Sequence, residues 1–467
     1  MIESQNSKNK YKDDLSNLIL SLAEIQRDLH KNISKQYFNS QPVISITNSK
    51  PLINLNFDLA DILLIGAVTQ SSVILSGSSG SGKTLLAELI ANFLFGKDGM
   101  TRKNITPDLN EQDFMDIDFG AIKAGKTLKE AMLADQLFKR PCLIIDEANR
   151  APPIIQNRLM QILENSIDIK SKILHPGISL DNGRNYHWNI LTLNYGDEYA
   201  GTSSVDRALK DRITLDIPID NFPPILDDQI HMIRESLFPQ DKKELVSNDT
   251  SIYKFFMNLN QISLSIEAEA LILYLSFTSN CVKSPTGSKY GVIFSPQYCK
   301  EQDCPYARNP PLNKICPYTY APSNRVLRRI VHVSKGLCLL RHAKIVSYLM
   351  ENENEEAVAD YLIKNSDIEV TLKDVILIAP LVLHSKISMN WEWVRNKFNG
   401  NSFLACVFYL KIINEQLNYF MKNVLLGIVA EKNGETLSEK DIGERKKAIK
   451  DDFHFEGLIK YVKKYLK

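Results

Sequence analysis

Apolar residues at Leu15, Leu18, Ile19, Leu22, Ile25 and Leu29 recur at helical spacing, so an amphipathic helix is expected near the start of the chain. From Val43 to Pro218 the pattern changes. Short β-rich runs (Val73-Ile74-Leu75, Leu143-Ile144-Ile145, Asn189 to Leu193, Ile213-Thr214-Leu215) are separated by helix-like stretches. Strands that alternate with helices predict βαβ units and a parallel sheet. Beyond Pro224 the spacing is helical, with one break from Cys281 to Pro322 that is rich in Pro, Tyr, Lys and Cys. Helical spacing resumes with Leu327, Ile330, Val331, Ser334 and Cys338, and the last stretch, 388–467, ends Lys-rich. That end reads as a solvated helix face. There is no internal repeat.

The 467 residues suffice for two or three domains, and 44% hydrophobic with 24% charged residues is ordinary globular composition. A formal net charge of +1 removes any bulk electrostatic argument for nucleic acid or membrane binding. The longest apolar candidate, Leu59 to Leu75, is interrupted by Asp61, Gln70 and a Ser pair, so no membrane span is expected. The N-terminus lacks an apolar signal core, and the protein is expected to be cytoplasmic. Seven cysteines, an odd count, argue against a disulfide scaffold.

Gly77-Ser78-Ser79-Gly80-Ser81-Gly82-Lys83-Thr84 fits GxxxxGK[ST] at every fixed position. It follows the expected strand Ser72–Ser76 and opens the expected helix Leu85–Phe95. Glycines let successive backbone N–H groups converge on phosphate oxygens, and the helix N-terminus adds positive dipole. Lys83 would reach the β- and γ-phosphates, and Thr84 would offer its hydroxyl to Mg²⁺. A second element follows about 60 residues later, where an apolar strand, Cys142 to Ile145, ends in Asp146-Glu147. Asp146 is the expected holder of a water in the Mg²⁺ shell. Glu147 is the expected group that polarises the water attacking the γ-phosphate.

The run Asp146-Glu147-Ala148-Asn149-Arg150-Ala151-Pro152-Pro153 resembles the D-E-x-N-R-A-P stretch of MoxR-type AAA+ ATPases. Ile105-Thr106-Pro107-Asp108-Leu109, with Asp113 and Gly120 beyond, is similar to the family's F-T-P-D-L segment. Thr192-Leu193-Asn194 is similar to its T-Q-N, and Gly201-Thr202 with Ala208-Leu209-Lys210-Asp211-Arg212 to its G-T…A-x-L-D-R. Ser323-Asn324-Arg325 and Val370-Thr371-Leu372-Lys373-Asp374-Val375 are similar to its S-P-R and V-T-x-x-D-V, with His384 at the matching histidine, which reads as structural. Ser79 replaces the family's usual phosphate-loop proline, and the stretch Tyr195 to Thr202 is nearer to relatives of the CbbQ, NorQ and gas-vesicle GvpN kind.

The resemblance implies an AAA+ P-loop core with a parallel sheet flanked by helices, then an α-helical lid and a helical extension. The expected boundaries are 1–40 for an N-terminal helical segment, 41–222 for the core, 223–387 for the lid and 388–467 for the extension. It further implies that Asn194 orients the attacking water and that Arg325 reaches the γ-phosphate of its own subunit. Arg212 would serve a neighbour's γ-phosphate as an arginine finger, with Arg207 as its competitor for that role. A homo-oligomeric ring, most simply a hexamer, would remodel or activate a client protein, often one with a von Willebrand factor A-type (VWA) domain. ATP and Mg²⁺ are the implied cofactors. The alternative is a nucleic-acid-linked motor of the McrB restriction kind.

Cys281, Cys299, Cys304 and Cys316 lie within 36 residues, inside the expected insert 281–322 of the lid. Four thiolates on a turn-rich stretch with little apolar content suggest a structural Zn²⁺. An iron–sulfur cluster or unligated thiols are the alternatives. Cys142, Cys338 and Cys406 sit in apolar surroundings and are expected in the core.

Overall fold

The computed structural model describes residues 2–110, 115–117, 119–127, 132–134, 139–169, 172–180, 183–194, 205–237, 251–278, 322–387, 389, 391–420, 438 and 443. They divide into two compact units, one of residues 1–262 with 335–368 and one of 263–334 with 369–467.

The first unit is built on a five-stranded sheet in the order Leu215–Pro218, Val73–Gly77, Trp188–Asn194, Cys142–Asp146, Met100–Asn104. All four strand pairings are parallel, as the alternating pattern predicts. Every residue of Val73–Gly77 and Cys142–Asp146 is buried, so both faces of the sheet centre are covered. Ile74, Leu143, Ile145, Leu191 and Leu193 pack with Ile155, Leu159 and Ile162 of the helix Pro153–Leu163 and with Leu209 and Ile213. The helix Lys83–Phe95 lies against four strands, and Leu59–Val68 and the N-terminal helix Ile2–Ile33 pack on it.

Some boundaries differ from the sequence reading. The phosphate-loop helix starts at Lys83, because Gly82 supplies the left-handed backbone that turns the loop into the helix. The last strand is Leu215–Pro218, because Ile213 ends the helix Arg207–Arg212 and buries its side chain instead of pairing. An antiparallel hairpin, Ile44–Ser49 with Leu52–Phe57, precedes the sheet.

A buried ionic knot ties three helices of this unit. Asp58 and Asp61 form a capping box at the start of Leu59–Val68. The fully buried Asp61 carboxylate accepts from Lys344 Nζ at 2.6 Å and Gln26 Nε2 at 3.3 Å, and lies 2.9 Å from His30 Nε2. Lys344 also donates to the Asn56 carbonyl at 2.6 Å and lies over the Phe57 ring. Burial pushes the Asp61 carboxyl up, but Lys344 and then His30 pull it further down, well below the usual carboxylate range. Its stabilisation is therefore complete above the unfolded value of about 3.9 and is lost as the pH falls through the folded one. Lys344→Met leaves a buried carboxylate short of its main counter-charge. Urea unfolding at pH 7 should show a loss of about 3 kcal/mol, shrinking toward pH 4 because Asp61 of the variant, without Lys344 to hold its carboxyl down, takes up a proton there while that of the parent does not.

The second unit is helical. Ile266–Thr278, Leu372–Leu383 and Ser402–Phe420 pack on one another, and Trp391–Phe398 packs on the last of them. Ser263–Leu264 and Glu369–Val370 form a short parallel pair. Thr371 and Asp374 form a capping box, so the V-T-L-K-D-V segment marks a strand end and a helix start. His384 ends that helix, buried edge-on to Phe403. The helix Asn324–Asn352 carries the chain from the second unit's residues into the first's. Cys142, Cys338 and Cys406 are buried, as expected, and burial pushes the Cys142 and Cys406 thiols up. No helix among the described residues is long and apolar enough to cross a membrane.

Candidate active site

Gly77 to Thr84 joins the strand Val73–Gly77 to the helix Lys83–Phe95. Gly80 and Gly82 have φ of +78° and +79°, the left-handed region that glycine enters at no steric cost. A Cβ on Gly82 would meet the Tyr37 ring at 2.9 Å, whereas one on Gly80 would meet nothing within 4 Å. No side chain caps the helix, so its first N–H groups are left for a ligand. Lys83 is folded onto its own loop and donates to the Gly77 carbonyl at 3.1 Å, the Ser78 carbonyl at 2.6 Å and Ser81 Oγ at 3.1 Å. Burial lowers its pKa from the ordinary lysine value. Three oxygens thus satisfy an ammonium that phosphate oxygens would satisfy better.

The loop is anchored at its start by a residue the sequence reading missed. Asp220 accepts the Ser78 N–H at 2.8 Å and the Ser78 hydroxyl at 3.0 Å. It stands just past the strand Leu215–Pro218, the sheet neighbour of Val73–Gly77.

Asp146 ends the strand Cys142–Asp146, one strand away from the loop. Its Oδ1 accepts from Thr84 Oγ1 at 2.9 Å and from Thr192 Oγ1 at 2.5 Å. Its Oδ2 lies 2.5 Å from an Arg102 nitrogen. Burial pushes the Asp146 carboxyl up, but the hydroxyls of Thr192 and Thr84 and the Arg102 charge outweigh it, so the group stays ionised.

Glu147 has φ of +56°, a left-handed conformation for a residue with a side chain. Its N–H donates to Thr192 Oγ1 at 3.0 Å, which fixes the kink. The carboxylate then meets Asn194 Nδ2 at 3.2 Å on one oxygen and Arg150 at 3.1 Å on the other. Asn194 ends the middle strand Trp188–Asn194 and is itself fixed, its carbonyl accepting from Asn149 Nδ2 at 2.8 Å. The loop, Asp146, Glu147 and Asn194 are therefore one cluster at the carboxyl ends of adjacent parallel strands, where ligands of such sheets bind.

Arg212 closes the short helix Arg207–Arg212, its Nε 2.9 Å from Glu164 and a terminal nitrogen donating to the Ala208 carbonyl at 3.0 Å. Arg325 is exposed in the first turn of Asn324–Asn352 and belongs to the second unit. Cys281, Cys299, Cys304 and Cys316 lie outside the described residues, as do Asp113 and Gly201-Thr202. The side chain of Arg207 lies outside them too. Among the described residues, one grouping has metal-ligand geometry: His30, Asp58 and Asp61. Lys344 already supplies its positive charge.

Thr192, Arg102 and Arg150 join the site without having been given a role from sequence. The available signal was the strand Met100–Asn104, polar and half-exposed where its sheet neighbours are apolar. Its Asn104 is in register with Asp146.

A phosphate loop, an acidic pair and a polar strand-tip residue on this sheet define an AAA+ ATPase domain, in keeping with the MoxR-type resemblance of the motifs. Residues 72–213 match the family described as AAA domain (dynein-related subfamily). The regulatory protein AtoC of Escherichia coli (strain K12) is 28% identical over 165 residues, which cover 32% of this chain. The matched part spans 33% of AtoC, about a third of that relative. A crystal structure of a Cytophaga hutchinsonii protein, provisionally assigned as an ATPase, superposes with a TM-score of 0.54 at 16% identity. That match covers 84% of this chain and 95% of the other, and it shows a shared fold.

Proposed function

We propose that the chain binds and hydrolyses ATP and uses the cycle to remodel or activate a client protein, as a subunit of a homo-oligomeric ring. The observation that carries hydrolysis is the Glu147–Asn194 pair beside the phosphate loop. It aims a carboxylate and an amide at the space a nucleophilic water needs. The residues fit the substrate and its metal. Uncapped helix N–H groups, open space at Gly80 and Lys83 suit a polyphosphate, and the Thr84 hydroxyl beside Asp146 suits Mg²⁺. When bound, Mg²⁺ neutralises charge on the terminal phosphates. Lys83 grips the β/γ-phosphates, Asp146 orients Thr84 by accepting a hydrogen bond from its hydroxyl, and Glu147 draws the proton of the attacking water while Asn194 holds that water in line.

Arg325 is proposed to contact the γ-phosphate in cis and Arg212 in trans. The ring, its hexameric order, a VWA-type client and a cytoplasmic site of action rest on the MoxR-type resemblance, and zinc rests on the spacing of the four cysteines. Lys83→Ala should weaken ATP binding about 10- to 100-fold, the loss of a charge-assisted hydrogen-bond set, in a titration with a fluorescent ATP analogue. The client reading is tested by recovering proteins held by ATP-loaded Glu147→Gln chains and released by ADP. Stimulation of turnover by DNA or RNA, with no protein so held, would favour the motor alternative.

A further inference from the structure

Arg102 is committed wholly to the site. Its Nε lies 3.1 Å from Asn104 Oδ1, one terminal nitrogen 2.8 Å from Glu88 Oε1 and the other 2.5 Å from Asp146 Oδ2. A carboxylate oxygen offers about two acceptor positions. Asp146 Oδ1 has both filled, by Thr84 and Thr192. A further donor, such as a water polarised by a metal, has only the remaining position of Oδ2 to address, and there it meets the positive charge of the guanidinium on the same oxygen. Arg102 also has room to move aside toward solvent, since 38% of its side chain is exposed, and Glu88 is a second acid to retain it.

We propose that Arg102 is a positioning residue that stands in for Mg²⁺ charge at Asp146, so that metal and guanidinium compete for one carboxylate oxygen. This rests on Asp146 belonging to the Mg²⁺ shell. Until metal arrives, the ion pair holds the Asp146 carboxylate in place and gives its buried charge a partner. When metal arrives, the guanidinium leaves Oδ2 but stays tethered to Glu88. The exchange costs part of the metal's binding energy, so the apparent metal affinity is set below that of the bare carboxylate.

The test is Mn²⁺ binding to the full chain in the presence of a non-hydrolysable ATP analogue, followed by the electron paramagnetic resonance signal of free Mn²⁺. If the Arg102-free form is populated to about one part in ten, Arg102→Met should bind Mn²⁺ about tenfold more tightly. Its affinity for the analogue in EDTA should be unchanged. Arg102→Gln removes the same charge but keeps a polar side chain on this half-exposed strand, and it should tighten Mn²⁺ binding in the same direction to a similar extent. It keeps the proposal testable should Arg102→Met not fold. Asp146→Asn should weaken Mn²⁺ binding. Unchanged or weaker Mn²⁺ affinity in a folded Arg102→Met or Arg102→Gln would overturn the competition, provided Asp146→Asn weakens binding. Unchanged Mn²⁺ affinity in Asp146→Asn would overturn the Mg²⁺ assignment itself.

Discussion

Arg212→Ala should bind ATP as tightly as the parent chain and turn it over about 10³-fold or more slowly. The side chain sits at the C-terminal end of its helix, held by Glu164 at 2.9 Å and by the Ala208 carbonyl. The ion pair attaches it to Glu164, at the C-terminal end of the helix Pro153–Leu163. A pair of this kind, with Glu164 more than a third exposed, holds the guanidinium only weakly, so an anionic phosphate of an adjoining subunit would outcompete it. Mixing separates the roles. If the chain forms the proposed ring, rings that combine Arg212→Ala with Glu147→Gln subunits would contain interfaces where an intact Arg212 faces an intact Glu147, and these should recover part of the activity. Demonstrably mixed rings that stay inactive would place Arg212 outside the catalytic interface. Arg207 would then be the residue to substitute next.

The phosphate loop was legible from sequence because its chemistry is local. Glycine freedom, one lysine and one threonine at fixed spacing define it, and the structure places them between a strand and a helix as expected. Asp146 and Glu147 were legible because acids at a strand end stand out against an apolar run, and Asn194 through the resemblance of Thr192-Leu193-Asn194 to the family's T-Q-N; parallel pairing sets their tips side by side. Arg102 was not legible. Its contacts depend on which strand becomes the sheet edge, and that order, 5-1-4-3-2 in chain sequence of the five strands, is a property of the crossovers and not of any one segment. Asp220 was hidden for a similar reason, since a lone aspartate after a strand acquires its role only when that strand pairs with Val73–Gly77. The Asp61 knot joins residues as far apart as Gln26 and Lys344, and no periodicity encodes such a meeting.

Glu147→Gln should keep ATP binding and lose turnover by about 10²- to 10⁴-fold, the usual contribution of a positioned general base. Glutamine preserves the shape and one of the two oxygens that Asn194 and Arg150 address separately, but it cannot take a proton. Lys83→Ala should fail at the earlier step of binding, so the two variants separate the grip on phosphate from the activation of water. The most direct measurement is a single-turnover experiment. Trace radiolabelled ATP with Mg²⁺ is mixed with excess parent chain or excess Glu147→Gln, and bound ATP and released phosphate are followed together. The account predicts phosphate release by the parent chain, and ATP retained unhydrolysed by the variant at comparable affinity. Phosphate release at equal rates from both chains would contradict it.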